Sequence, residues 1–148
     1  GMALKALGKA KEAKACFTAS KNEEGDFIDM AVSAYSELSY YKALSLIELG
    51  EEKEAQELLA VIKDFGKAKL KEKAQIDYFA TSLPLLLVFE DDIQKRNTID
   101  AKYLIALAEV GLGANKNAIN ILKETLQLNS MHVGAKDLLE QISSNVSD

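Results

Sequence analysis

The sequence predicts an all-α fold assembled from antiparallel helix pairs, and two observations carry that prediction. Its 148 residues are 48% apolar and 28% charged with a single Pro, a balance that excludes disordered and collagen-like chains and favours long helices over strands and turns. One short pattern also recurs three times: Leu-Gly, then Ala five residues after the Gly, then a large apolar residue four further on. The copies are Leu7-Gly8 with Ala13 and Phe17, Leu49-Gly50 with Ala55 and Leu59, and Leu112-Gly113 with Ala118 and Leu122. A chain of this length suits one domain, residues 1–148, and buries roughly two thirds of the surface its unfolded form exposes.

The elements follow in order. A first helix spans Met2 to Leu7 and stops at Gly8, because glycine takes the left-handed conformation that closes a helix without a Cβ clash. The second, Lys9 to Ser20, carries Ala13 and Phe17 toward its partner, and Cys16, at helical spacing from both, is expected as a buried small apolar residue with no reactive role. Asp26 is the expected N-cap of a third helix over Phe27 to Leu49, closed by Gly50. A fourth runs from Glu51 to Phe65, with Gly66 as its stop. Residues 67–81 have no convincing period, so loop and short helix both stay open there. Ser82, two before Pro84, caps a fifth helix over Pro84 to Leu112 with a break near Asn97. The sixth covers Asn115 to Leu128, and Ser130 caps the seventh, Met131 to Ser143. Ala43 and Ala106 each stand seven residues before their Gly, where a small side chain on the first helix of a pair lets the second approach closely, as Ala13, Ala55 and Ala118 do from the other side.

On these residues the sequence resembles the tetratricopeptide repeat family, most clearly over Tyr35 to Ile62 and Asp100 to Asn129, with Leu128-Asn129-Ser130 where the family usually turns with Pro. The resemblance implies a superhelix of about three irregular repeats whose concave face binds proteins or peptides. Gly8 to Gly50 is 42 residues and Gly50 to Gly113 is 63, against about 34 for a standard unit, so the repeats carry insertions. Those insertions, with Phe27, Met30, Tyr35-Ser36-Glu37-Leu38, Tyr40-Tyr41, Asp77-Tyr78-Phe79-Ala80, Ser82-Leu83-Pro84 and Val88-Phe89-Glu90-Asp91-Asp92, resemble one bacterial group. There a galactose-mutarotase-like domain of unknown function precedes a C-terminal tetratricopeptide segment, which implies a carbohydrate-associated parent protein. The first copy has little room for its first helix before Gly8, so the chain reads as a truncated repeat at the C-terminal part of a longer protein. The exposed apolar residues Leu4, Leu7 and Phe17 at that end are expected to favour self-association.

Little here looks like chemistry. A net charge of -5 argues against nucleic acid, whose readers carry a basic patch. Lys67, Lys69, Lys71 and Lys73 read as a solvated surface. The longest apolar run, Leu83 to Phe89, is far short of the roughly 20 residues of a membrane helix and reads as core. Glu90, Asp91 and Asp92 are consecutive and diverge around a helix, so no metal site is expected from them; Asp91 with Lys95 and Asp92 with Arg96 have ordinary ion-pair spacing. His132, the one histidine, lacks a neighbouring ligand or nucleophile and reads as a plain helix residue. Gly111 and Gly113 lie between repeat helices and cradle no phosphate. No catalytic residue and no cofactor are expected. One cysteine gives no sign of an oxidising compartment, and localisation stays open, with the cytoplasm favoured.

The expected function is therefore a non-catalytic scaffold for protein–protein or interdomain contacts; the alternative is a structural appendage or oligomerisation element of an upstream carbohydrate-active domain. Aligned on their glycines, the second and third copies carry Glu37, Tyr40, Leu44, Ile47 and Asp100, Tyr103, Leu107, Val110 at identical offsets. In the resembled family this side lines the concave groove, so these eight residues are the expected binding face for a partner segment bearing basic residues. The repeat alignment also has a direct stability consequence. Ala55→Leu should overpack its helix crossing and lower stability by about 1–3 kcal/mol; a thermal melt identical to that of the unmodified chain would show that Ala55 does not sit at a crossing.

Overall fold

Each of the three Leu-Gly steps ends a helix with the same hydrogen bonds. The computed structural model describes residues 1–22, 34–73 and 87–144, apart from the side chains of 87–92. Within them lie α1 (Met2–Ala6), α2 (Ala10–Asn22), α3 (Glu37–Leu49), α4 (Glu52–Lys71), α5 (Leu87–Gly111), α6 (Asn115–Leu128) and α7 (Val133–Ser144), with no strand among the described residues. At α3, Gly50 N–H donates to Ile47 O and Glu51 N–H to Leu46 O; at α5, Gly113 N–H donates to Val110 O and Ala114 N–H to Glu109 O; at α1, Gly8 N–H donates to Lys5 O and Lys9 N–H to Leu4 O. That paired closure satisfies carbonyls that a helix end leaves without partners, and it needs a residue with positive φ. Gly8, Gly50 and Gly113 supply it at 73°, 82° and 78°, and no other described residue has a positive φ.

The chain divides into two compact units, Gly1–Ile62 and Lys63–Asp148, with the boundary inside α4. In the first unit α1 packs on α2 and α2 on α3. Its core holds Ala13, Phe17, Tyr40, Ala43, Leu46, Ala55, Leu59 and Ile62, the last three and Ala43 fully sealed. In the second unit α5 packs on α6 and α6 on α7. Ala101, Ala106, Ala108, Ala118, Leu122 and Ala135 are completely buried there. All the alanines that the repeat pattern places at crossings are thus buried, together with Phe17, Leu59 and Leu122 four residues beyond the second-helix alanines.

Several boundaries differ from the sequence expectation, each for a physical reason. Helix α3 begins at Glu37 and residues 34–36 are not helical. Ser36 caps it, its Oγ accepting from Leu38 N–H at 3.2 Å while its own N–H donates to Ser39 Oγ at 3.2 Å; a Ser at the third helical position completes the reciprocal cap in place of the usual Glu or Gln. The expected cap Asp26, residues 27–33, residues 74–81, Ser82, Pro84 and the side chains of the run Leu85–Phe89 and of Glu90, Asp91 and Asp92 lie outside the described residues.

Gly66 is not a stop: α4 continues through it to Lys71. A Cβ built there would stand 2.7 Å from Ile105 Cγ1 and 3.1 Å from the Ala101 carbonyl oxygen, so this glycine lets α5 approach the α4 backbone and has no role in ending the helix. Residues 67–71 accordingly belong to α4. Asn97 does not break α5, which is continuous from Leu87 to Gly111. Its Nδ2 donates to Lys69 O at 3.1 Å, capping one of the last α4 carbonyls from a neighbouring helix. Helix α7 begins at Val133, and its cap is His132, whose Nδ1 accepts from Ala135 N–H at 3.1 Å. Ser130 does not serve, and His132 is a cap residue where a plain helix residue was expected. Asn129 Oδ1 receives Met131 N–H at 3.0 Å in the turn before it.

Cys16 is exposed, contrary to the buried role expected of it. The buried arc of α2 is narrow, centred between Ala13 and Phe17, and at about 100° per residue Cys16 points about 100° away from Phe17. At the same end Phe17 is 7% exposed, because the start of the chain lies over its ring so closely that a Cβ on Gly1 would collide with it; Leu7 stays 73% exposed.

Gly66 separates propensity from packing. Gly→Ala in a helix interior ordinarily gains about 1 kcal/mol, yet here the added methyl meets Ile105 and a backbone carbonyl. Gly66→Ala is therefore expected to lower stability, by about 1 kcal/mol or more, with part of the loss recovered when Ile105→Val accompanies it. A higher melting temperature for Gly66→Ala alone would show that α5 does not approach α4 this closely.

Candidate functional site

The two stripes expected to bind lie on α3 and α5, one in each unit. On α3, Tyr40 is buried at 6% exposure, Leu44 and Glu37 are half-buried, and Ile47 is exposed. On α5, Tyr103 and Leu107 are buried, Val110 is half-buried and Asp100 is exposed. The helical period explains the pattern. Tyr40 and Tyr103 each stand three residues before a crossing alanine, Ala43 and Ala106, and so share its inward face.

Tyr103 is covered by the start of α7. Its ring centroid lies 4.5 Å from that of His132, the planes tilted by 55°, and a Cβ on Gly134 would meet its hydroxyl oxygen at 2.4 Å. Gly134 thus stands where only a hydrogen fits, and the first turn of α7 closes over this tyrosine. Burial pushes the Tyr40 hydroxyl up to about 12, with a smaller contribution from Tyr41. The tyrosine that reaches water on α3 is Tyr41, 48% exposed, whose hydroxyl donates to Glu37 Oε1 at 3.0 Å. Partial burial and then that carboxylate raise its pKa as well. Alignment of the copies selects Tyr40 over Tyr41; the three-residue step from Tyr40 to Ala43 is the sequence signal that places Tyr40 inside.

Several charges are held in pairs. Lys102 Nζ meets Glu124 Oε2 at 2.5 Å between α5 and α6, and Lys69 Nζ lies 4.0 Å from Asp100 Oδ2 between α4 and α5. Lys67 pairs within its helix with Asp64 at 3.5 Å, so Lys67 and Lys69 of the basic stretch have acidic partners. Among the described residues the most enclosed pair joins Lys63 Nζ to Glu109 Oε1 at 3.0 Å, with the Glu109 side chain 8% exposed and that of Lys63 26%. A carboxylate this deep needs its cation, since an unpaired buried charge is costly.

In the first unit, a cleft of about 250 Å³ opens over Ala10, Ala13, Phe17 and Leu49, rimmed by Lys5, Lys14 and Glu48. Lys5 Nζ is 2.5 Å from Glu48 Oε2, and Lys21 on α2 pairs with Glu51. Among the described residues no cluster of three or more His, Cys, Asp or Glu is arranged to hold a metal ion. No described helix is long and apolar enough to cross a membrane. No protein-family model matches the chain, and no solved structure matches it.

The Lys63–Glu109 pair yields a measurable asymmetry. Lys63→Met alone should lower stability by about 2 kcal/mol, less than the roughly 3–5 kcal/mol of a fully buried pair because the lysine is partly solvated. Lys63→Met combined with Glu109→Leu should recover most of that loss, since neither member then leaves a buried charge behind. Chemical denaturation of the two variants beside the unmodified chain reads both values, and equal losses in the single and double variants would show that Glu109 does not depend on its cation.

Proposed function

We propose that this chain is a non-catalytic helical-repeat scaffold of the tetratricopeptide kind that holds a protein or peptide partner. The observation that supports the reading most directly is the threefold recurrence of one closure: the same pair of backbone bonds at Gly8, Gly50 and Gly113, each followed at the same offsets by a buried Ala and a buried large apolar residue. A unit of two helices has one face to bury and another to display, and chains that repeat such a unit use the displayed faces for recognition.

Burial divides the expected face into two kinds of residue. Tyr40, Tyr103 and Leu107 are the packed support. Glu37, Leu44 and Ile47 on α3, and Asp100 and Val110 on α5, are the residues a partner would reach. On each helix they combine an acid with aliphatic surface, which suits a segment with apolar side chains and a basic residue.

A photo-crosslinking amino acid at Ile47 tests the reading in extracts of the source organism. It is expected to give a discrete protein adduct that weakens when Leu44→Asp is added, whereas the same group at the fully exposed Lys53 gives none. Equal labelling from both positions, or none from Ile47, would sink the proposal for this face.

A further inference from the structure

The ends of the charge distribution differ sharply. The chain as a whole carries a net charge of -5, yet residues 1–22 contain five lysines and one glutamate. Three of the five are engaged, Lys5 by Glu48, Lys9 by Glu12 at 3.4 Å, and Lys21 by Glu51. Lys11 and Lys14 have no acidic partner among the described residues. Lys14 stands on the rim of the cleft over Ala10, Ala13, Phe17 and Leu49, and Lys11 lies beyond it on the same flank of α2, about 60° further round the helix.

We propose that this cleft is a docking site for a short acidic peptide segment bearing one aliphatic side chain. The inference rests on the scaffold reading and names the partner chemistry of a second surface, on α1 and α2. Volume sets the first constraint: about 250 Å³ is below the roughly 300 Å³ at which small-molecule pockets begin and suits a single large side chain on an alanine-rich floor. Charge sets the second. Glu48, the one acid on the rim, is already neutralised by Lys5 at 2.5 Å, so an incoming carboxylate meets Lys14 and Lys11. These two cations on one flank of α2 steer such a segment to the cleft. Nucleic acid fits less well, because Phe17 is 7% exposed and offers no open ring for a base to stack on, and two lysines form too small a track for phosphates.

The experiment uses the whole chain and a fluorescent decapeptide of Glu and Asp residues around one Leu, read by anisotropy at low salt. Binding is expected, weakening about tenfold in the Lys11→Glu, Lys14→Glu double variant and in high salt, as exposed charge contacts do. Ala10→Phe, an exposed position that fills the cleft without altering charge, should weaken binding about fivefold with an unchanged melting temperature, as loss of an apolar anchor does. A companion peptide with Ala in place of Leu should bind as weakly as that variant binds the original. No binding by the unmodified chain, affinity indifferent to both variants, or equal affinity for a single-stranded oligonucleotide would overturn the proposal. Failure here with a specific adduct at Ile47 removes this cleft alone; failure of both removes the scaffold reading with it.

Discussion

Most of this architecture depends on one backbone event, a glycine entering the left-handed region as a helix ends. At Gly8, Gly50 and Gly113 the residue after the glycine returns its N–H to a carbonyl five residues back, and the glycine N–H returns to one three residues back. The chain therefore reverses within a few residues, and at Gly8 and Gly113 the next helix packs back on the last, α2 on α1 and α6 on α5. A residue with a Cβ at these positions would strain the turn, and a slacker reversal would no longer bring Ala43 and Ala106 to the crossings where they are sealed. Turn geometry comes first and packing follows from it.

Close approach is the second theme. Where helices of one unit cross, the contact residue is repeatedly Ala or Gly: Ala118 and Ala135 are fully buried, Gly66 sits against Ile105 and Ala101, and Gly134 against Tyr103. Side chains provide partners for the polar ends of these helices. Asn97 on α5 reaches the end of α4, His132 holds the start of α7, and Ser36 with Ser39 closes the start of α3. The buried hydroxyls of Ser45 and Thr125 turn back to carbonyls four residues earlier, at 2.9 and 2.8 Å. No buried side-chain nitrogen or oxygen among the described residues lacks a partner.

These choices decide which side chains reach the surface. An aromatic residue beside a crossing alanine is drawn into the core, so Tyr40 and Tyr103 stiffen their helices from beneath while Tyr41, one position on, meets water. The accessible surface of α3 is thus a mixture of Glu37, Tyr41, Leu44 and Ile47. In the first unit the basic side of α2 beside its cleft is a separate kind of surface, set apart from α3 by the sign of its charge.

The sequence by itself determined the helical class, the three closing glycines, the alanines at the crossings and the bounds of α6, because each follows from local rules: glycine's freedom at positive φ, the small volume of alanine and the 3.6-residue period. It gave a false reading wherever a residue acts through a neighbour distant in the chain. Gly66 resembles a stop until α5 lies against it; Asn97 resembles a break until its amide finds the Lys69 carbonyl; Cys16 resembles core until the arc covered on α2 proves narrower than its apolar spacing. Tyr103 resembles a groove residue until the first turn of α7 closes over it. In each case the deciding atom belongs to another helix, and only the tertiary structure brings it near.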